Sequence, residues 1–267
     1  MNNRIIFMHL PKCGGSTMST ILNRFYQKEN TFNVKVIENV RLNIDDFTGL
    51  NQSQRDELNL LTGHIHFGIH KYFTNSYDYI TFLRDPVERI VSFYYYVKRT
   101  PEHRLYQNKL FSKETSLYDF VINSTEGDIH NGQIRFISGI VDSPNIMLER
   151  ALENIYSNFS FVGIVEKFDE SLILLQNMYG WNTPTYKILN ETKHRPKIEM
   201  LDTQTLEVIR DMNKGDIELY NLMKAELSNK IKATDSFNFD LMKLKFLNRK
   251  NYYKSFVKSK LSKLANV

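Results

Sequence analysis

Cysteine is nearly absent from this chain of 267 residues, in which Cys13 is the single example. One thiol cannot build an internal disulfide framework, so disulfide-stabilised secreted scaffolds are excluded and a reducing compartment is favoured. Long apolar runs are also lacking, since none approaches the roughly 18 residues that a membrane helix needs. The first residues, MNNRIIFMHL, hold too short an apolar stretch for a secretory signal. We therefore expect a cytoplasmic protein, with a trimmed luminal domain as the alternative.

Acidic residues are scarce in one part of the chain. Residues 230–267 hold ten Lys or Arg against Asp235 and Asp240, a balance of +8, whereas residues 1–229 sum to −3. We divide the chain accordingly into a domain over 1–229 and a basic C-terminal tail over 230–267, which we expect to be helical. Basic tails bind nucleic acid, acidic lipid or acidic polysaccharide, but a solvated helix explains the charge as well. No nucleic-acid partner is expected, and peripheral contact of the tail with an acidic membrane is left open.

Short apolar runs alternate with helical periods along the chain. The hydrophobic share of 42% is sufficient for a packed core. Strand, helix and strand in alternation predict an α/β domain with a parallel sheet flanked by helices. Asp85 as N-cap, Pro86 in the first helical position and Glu88 three residues after the cap mark one helix start. The predicted strands are 4–9, 33–37, 79–83 and 160–165, and the predicted helices are 16–27, 86–99 and 169–179.

The first predicted strand leads into the segment HLPKCGGST. In open α/β sheets, ligands bind beyond the carboxyl ends of the strands. Gly14 and Gly15 let the backbone approach a ligand, Lys12 adds a charge, and Ser16 and Thr17 add hydroxyl donors. The combination predicts a P-loop-like cradle for an anion. A tight strand-to-helix turn without a ligand is the alternative.

Better-known phosphate motifs do not fit this segment. The pattern G-x-x-x-x-G-K-[ST] is absent because the lysine precedes the glycines, and G-x-G-x-x-G is absent as well. A cysteine phosphatase would activate Cys13 at the helix N-terminus. Such an enzyme needs an arginine after the cysteine to close the loop, and residues 16–23 supply none.

A second basic segment, RDPVERIVSFY, begins at Arg84. Arg84 ends a predicted strand, and Arg89 and Ser92 are three residues apart on one helix face. Two guanidinium groups and a hydroxyl beside a strand end could hold a second phosphate. Ion pairs of the arginines with Asp85 and Glu88 explain the segment equally well.

Together the two segments resemble sulfotransferases that use 3′-phosphoadenosine 5′-phosphosulfate (PAPS). HLPKCGGST is similar to their 5′-phosphosulfate loop, and RDPVERIVSFY is similar to their 3′-phosphate segment. The group most resembled is the carbohydrate sulfotransferases that include heparan and dermatan uronyl 2-O-sulfotransferases and many bacterial relatives. Further matching pieces are GHIHFGIH, NGQIRFISG, FVGIVEKFDESL and DIELYNLMKAEL. The resemblance runs in patches from about residue 4 to 227 and leaves the basic tail outside.

The resemblance implies the sulfotransferase fold, PAPS as co-substrate and no metal. It also implies that Arg84 and Ser92 bind the 3′-phosphate. Two anionic groups on one nucleotide agree with two separate basic segments, whereas a triphosphate would need one cradle and a magnesium site. The residues implied for the nucleotide in the first segment are Lys12, Cys13, Gly14, Gly15, Ser16 and Thr17.

A base for the acceptor proton should have a pKa near neutrality, so histidine is the first candidate. His64, His66 and His70 cluster in GHIHFGIH. The resemblance assigns the base to His64, while Thr62 stands where the uronyl enzymes carry a second histidine. Structural roles are expected for His66 and His70. Zinc is disfavoured because no cysteine or third ligand follows at the usual spacing.

We therefore expect a sulfotransferase that moves a sulfuryl group from PAPS to a hydroxyl of a carbohydrate or glycolipid. His64 and Lys12 are the expected catalytic residues, with Lys12 meeting the charge that grows on the leaving oxygen. One alternative is an ATP-dependent small-molecule or nucleotide kinase with an atypical phosphate loop. Another is a non-catalytic binder of anionic glycans. The acceptor and the oligomeric state do not follow from the sequence.

Overall fold

The computed structural model describes residues 4–37, 41–107, 111–125, 127–187 and 197–264. The strands are β1 (Ile5–Met8), β2 (Thr31–Val34), β3 (Val36–Ile37), β4 (Arg41–Leu42), β5 (Leu60–Gly63), β6 (Asp78–Leu83) and β7 (Phe159–Ile164). The helices are α1 (Gly15–Leu22), α2 (Ile44–Thr48), α3 (Gln52–Asp56), α4 (Pro86–Lys98), α5 (Arg104–Gln107), α6 (Leu117–Asn123), α7 (Gly132–Ser138), α8 (Pro144–Asn158), α9 (Phe168–Tyr179), α10 (Thr203–Met212), α11 (Lys214–Lys232) and α12 (Phe237–Leu264).

The core of the molecule is a parallel sheet of five strands in the order β2-β5-β1-β6-β7. All four residues of β1 are buried, because helices cover both faces of such a sheet and leave no polar side to the strand. Met8 at the end of β1 pairs with Gly63 at the end of β5 and with Thr81, two residues before the end of β6. The predicted α/β class with a parallel sheet is confirmed.

The chain order places the site at one edge of the sheet. β1 is central, and the chain leaves it first toward β2 on one side and later toward β6 and β7 on the other. Such a reversal opens a crevice at the carboxyl ends of the strands. The segments that follow β5, β1, β6 and β7 therefore meet along this edge.

The predicted helix start at Pro86 is confirmed in detail. Asp85 accepts a hydrogen bond from the Glu88 amide at 3.0 Å, as a residue at the N-cap does. Other boundaries differ. The helix predicted over 16–27 ends at Leu22, and Phe25 turns back to stack on Trp181 with ring centroids 4.8 Å apart.

The strands of the structure differ from the predicted ones at two places. β5 was not predicted, because its four residues are too few to display a period. The strand predicted over 33–37 is divided: β2 joins the parallel sheet, whereas β3 pairs antiparallel with β4 outside it. The two remaining predicted strands and the helix over 169–179 are present, with shifts of one residue at their ends.

The C-terminal region is helical and packs on the domain. The predicted boundary between 229 and 230 lies inside α11, and the division of the chain there stays a prediction. After a short turn, α12 runs along α9 and buries Phe237 and Leu244 in the main core. Asn248 of α12 accepts a hydrogen bond from the Tyr186 amide at 2.9 Å. Across the described ranges, no helix combines the length and apolar character needed to cross a bilayer.

If α12 is part of the folded unit, removing its buried side chains must lower stability. We expect Leu244→Ala to lower the free energy of unfolding by about 2–5 kcal/mol, because the truncation leaves a cavity in the main core. Denaturant unfolding measures this change. The matched control is Met242→Ala on the exposed side of the same helix, expected to change stability by less than about 0.5 kcal/mol. Equal stability of the two variants would contradict the packing of α12.

Candidate functional site

Three predicted site residues come from three neighbouring strands. Lys12 lies four residues after β1, His64 follows β5 directly, and Arg84 follows β6 directly. Since β5, β1 and β6 are adjacent and parallel, these residues converge at one edge of the sheet. The structure thus brings the two basic segments and the histidine cluster together.

The loop after β1 turns sharply into α1. Lys12 and Gly14 have φ angles of 67° and 72°, in the left-handed region, where a residue other than glycine pays about 1–2 kcal/mol. Gly14 is the N-cap of α1, and no side chain caps this end of the helix. The first amides of a helix lack intrahelical acceptors, so they remain available to an anion. Ser16, on the first turn, is exposed, whereas Thr17 is buried.

Gly15 leaves space that a neighbouring side chain uses, and its predicted contact with a nucleotide stays a prediction. A Cβ atom at this position would lie 1.7 Å from Cδ2 of His9. The space that the missing side chain leaves is therefore filled by the His9 imidazole. The ring of His9 in turn stacks on the ring of His64, with centroids 4.4 Å apart. His9 thus connects the start of α1 to the candidate base.

Positive charge is concentrated around Lys12. Its Nζ lies 4.1 Å from the centroid of the Tyr96 ring, which also has the Arg99 guanidinium 5.9 Å away. Burial, and then the charges of Arg99 and Arg84, lower the pKa of Lys12 from 10.5 to about 8. An anion bound here would relieve this repulsion, so the cluster is electrostatically suited to a negatively charged ligand.

Arg84 connects the two basic segments directly. Its Nη1 donates to the Lys12 carbonyl at 3.2 Å, and its Nη2 pairs with Glu88 Oε2 at 3.1 Å. The third donor, Nε, is buried without a hydrogen-bond partner. A guanidinium group that is 16% exposed and has an unused donor fits an oxygen-rich ligand such as a phosphate.

Arg89 does not join Arg84 at a ligand site. Its side chain is fully buried, and Nη2 lies 3.4 Å from Oδ2 of Asp216 in an equally buried ion pair. Asp216 also accepts hydrogen bonds from the amides of Gln133 (3.0 Å) and Ile134 (2.8 Å) at the first turn of α7. Arg89 is therefore structural. Ser92, three residues further along α4, is buried, and its contact with a 3′-phosphate stays a prediction.

Gln133 is a residue that the sequence did not single out. Its Oε1 accepts from the Arg84 amide at 2.9 Å, and its Nε2 donates to the Arg84 carbonyl at 3.0 Å. The Cys13 thiol lies 3.6 Å from the same Oε1. Gln133 thereby ties α7 to the end of β6 and to the loop after β1. Its place in the matching piece NGQIRFISG was the available signal.

The environment of Cys13 argues against a nucleophilic cysteine. Burial raises the pKa of this thiol to about 12, so the thiolate is scarce at neutral pH. The Cys13 amide donates to the Leu10 carbonyl at 3.2 Å. Both the amide and the thiol are thus engaged within the protein and support the shape of the loop. A direct contact between Cys13 and a nucleotide stays a prediction.

His64 is held in a defined orientation and tautomer. Its Nδ1 lies 2.9 Å from the carbonyl oxygen of His9. Because a carbonyl only accepts, Nδ1 carries the proton, and the lone pair of the neutral ring is on Nε2. Burial lowers the pKa of His64 below 6.5, so the neutral form predominates at pH 7. The ring therefore has the properties of a general base.

The other residues of this segment have structural partners. His66 is exposed, and its ring stacks on Phe136 with centroids 4.1 Å apart. Nδ1 of His70 is 3.0 Å from the Tyr79 hydroxyl. Thr62 is buried, with its hydroxyl 3.4 Å from that of Ser19 on α1. Within the described residues, no three His, Cys, Asp or Glu side chains gather as metal ligands do, and transfer without a metal stays a prediction.

A family model and two relatives of known function that are similar to this chain are all sulfotransferases. A family model described as galactose-3-O-sulfotransferase matches residues 1–244, which includes the first part of α12. Human uronyl 2-sulfotransferase is 22% identical over 264 residues, covering 84% of this chain and 62% of the human protein. The mouse uronyl 2-sulfotransferase is 25% identical over 205 residues, covering 65% of this chain and 47% of the mouse protein. The chain thus spans about half to three fifths of these relatives.

Two solved structures are also similar. One is a mouse sulfotransferase complexed with PAP, with a TM-score of 0.42 and 15% identity, over 82% of this chain and 67% of that one. The other is a sulfotransferase from Alicyclobacillus acidocaldarius, with a TM-score of 0.43 and 13% identity, over 82% of this chain and 94% of that one.

The buried ion pair beneath the site should be essential for stability. We expect Asp216→Ala to lower the free energy of unfolding by about 3–5 kcal/mol, because Arg89 is left as an uncompensated buried charge. Denaturant unfolding again measures the change. The control is Asp211→Ala, which removes an exposed pair with Lys214 and should cost less than about 1 kcal/mol. A loss of similar size in both variants would refute the structural role of Asp216.

Proposed function

The chain belongs to the galactose-3-O-sulfotransferase family, and we propose that it transfers the sulfuryl group of PAPS to a hydroxyl of a carbohydrate or glycolipid. The observation that carries this proposal is the convergence of Lys12, Arg84 and His64 at one sheet edge. The Arg84 guanidinium donates to the backbone carbonyl of Lys12, and the imidazole of His64 is neutral and oriented by the His9 carbonyl. This combination suits the transfer of a sulfuryl group to an alcohol, which requires charge stabilisation on the leaving oxygen and a base for the acceptor proton.

Each side of the donor nucleotide has a proposed partner. The amides at the start of α1, with Lys12, Ser16 and Thr17, hold the 5′-phosphosulfate. Arg84 and Ser92 hold the 3′-phosphate. The fit rests on the uncapped start of α1 and on the unused Nε donor of Arg84. The adenylate then lies between the loop after β1 and the start of α4.

The proposed reaction needs one base and one cation. His64 Nε2 takes the proton of the acceptor hydroxyl while the acceptor oxygen forms a bond to sulfur. The bond between sulfur and the bridging oxygen breaks, and adenosine 3′,5′-bisphosphate leaves. Lys12 stabilises the charge that develops on the bridging oxygen. Burial lowers the pKa of His9 to about 3, so its ring, which stacks on that of His64, is uncharged at neutral pH.

A carbohydrate acceptor is proposed from the relatives. Both are uronyl 2-sulfotransferases, at 22% and 25% identity. Thr62 occupies the position at which a second histidine is expected in the uronyl enzymes, and its hydroxyl lies close to Ser19. A uronyl residue is therefore not assigned as the acceptor, and the proposal stops at a sugar hydroxyl.

The catalytic proposal predicts a specific failure in His64→Ala. We expect the wild type to sulfate at least one member of a panel of sugars, polysaccharides and glycolipids when supplied with labelled PAPS. His64→Ala should lower turnover by about 10²–10⁴ and leave affinity for adenosine 3′,5′-bisphosphate within a few fold. In the wild type, turnover should fall only below about pH 6.5, because burial lowers the pKa of His64 beneath that value.

Two controls accompany this experiment. His66→Ala should retain turnover within a few fold. If His66→Ala lost turnover and His64→Ala retained it, the base would be His66. ATP with Mg²⁺ replaces PAPS in a parallel reaction. Phosphorylation of the panel in that reaction, without sulfation from PAPS, would favour the kinase alternative.

Nucleotide binding tests Arg84 separately from the chemistry. We expect Arg84→Ala to weaken the complex with adenosine 3′,5′-bisphosphate by about 2–3 kcal/mol in calorimetry without added metal. The matched control is the exposed Arg150→Ala, which should bind as the wild type does. Arg84→Ala, unlike this control, removes the proposed charged contacts to the 3′-phosphate. The assignment fails if Arg84→Ala still prefers the 3′-phosphorylated nucleotide over adenosine 5′-phosphosulfate as strongly as the wild type.

A further inference from the structure

Helix α12 presents two different apolar faces. One face packs on the domain: Phe237 and Leu244 are buried, and Leu241 lies against the same core. Asn248, four residues after Leu244, accepts a hydrogen bond from the Tyr186 amide. The spacing of four, three and four residues keeps this side of the helix in contact with the domain throughout its first three turns.

The opposite face is apolar and exposed. Phe239 (65% exposed), Met242 (64%), Phe246 (66%) and Tyr253 (52%) recur at intervals of three, four and seven residues. At 100° per residue these four side chains form one stripe, which lies roughly opposite the packed face. Large side chains of this kind seldom cluster on a surface that contacts only water.

Basic residues border the stripe on both sides. By the same helical geometry, Lys245 and Arg249 lie along one border, and Lys243, Lys250 and Lys254 lie along the other. All five are exposed. Long cationic side chains at the edges of an apolar stripe can reach toward phosphate groups while the stripe enters the acyl boundary.

We propose that this face of α12 binds an anionic lipid surface, with the helix lying in the plane of the interface. Charge selects this occupant over a second copy of the chain, because two such faces would bring like charges together. An acidic polysaccharide would use the lysines but would leave the aromatic stripe in water. A helix at the membrane surface also agrees with the packed face of α12, which would keep the domain on the side of the helix that faces away from the lipid. This inference does not depend on the transfer reaction.

Vesicle sedimentation with the full chain tests the proposal. We expect at least tenfold stronger partitioning into vesicles of phosphatidylcholine and phosphatidylglycerol than into phosphatidylcholine alone. Phe246→Asp should lower partitioning into the anionic vesicles at least tenfold, because it places a negative charge within the stripe. The control Met200→Asp alters an equally exposed side chain (76%) in the turn Ile198–Met200, outside α12, and should bind as the wild type does.

Further variants separate the other occupants. Phe239→Ser repeats the test on the stripe with a neutral change, and thermal unfolding confirms that both stripe variants are folded. A combined Lys243→Gln, Lys250→Gln and Lys254→Gln variant should also lose at least tenfold. Loss of vesicle binding in this variant, with wild-type binding in Phe246→Asp and Phe239→Ser, would indicate a purely electrostatic surface and overturn the proposal. The proposal would also be overturned if the wild type did not bind the vesicles and instead formed a dimer that Phe246→Asp dissociates.

Discussion

The carboxylate of Asp216 is the interaction on which the arrangement of the site depends. It neutralises the buried Arg89 and accepts two amides at the first turn of α7. That turn contains Gln133, whose side-chain amide holds both backbone groups of Arg84 and lies against Cys13. A charge within the core thus fixes the relative positions of the two basic segments. Buried pairs of this kind seldom increase stability over an apolar packing, so positioning is the better explanation for this one.

The basic cluster carries an electrostatic cost in the absence of a ligand. Burial, and then the positive charges of Arg99 and Arg84, lower the pKa of Lys12 to about 8. Lys12 also adopts a left-handed backbone conformation. Strain and repulsion at one place are typical of sites whose ligand supplies the compensating charge. An anionic ligand would therefore stabilise the fold as well as occupy the site.

Local patterns were predictable from the sequence, and distant partnerships were not. The start of α4 depends on Asp85, Pro86 and Glu88, which are adjacent in the chain, and it was predicted correctly. The ion pair of Arg89 joins residues 127 positions apart, so no local pattern could identify Asp216 as its partner. Gly15 illustrates the same limit. No local pattern indicates that the His9 imidazole fills the space beside this glycine, while approach of a ligand to its backbone stays a prediction. Resemblance supplied what local physics could not, because it identified both basic segments as parts of one site.

The orientation of His64 rests on a backbone carbonyl. The His9 oxygen lies at the end of β1, and the parallel ladder between β1 and β5 fixes its distance from the segment after β5. The proton on Nδ1 is therefore determined by the sheet itself, not by a side chain that a single substitution could remove. The His9 ring adds packing between Gly15 and His64 but contributes no charge, since burial lowers its pKa to about 3. This orientation of His64 depends on the register of two strands. If His64 is the proposed base, changes that shift β5 against β1 should lower turnover before they weaken the proposed nucleotide complex.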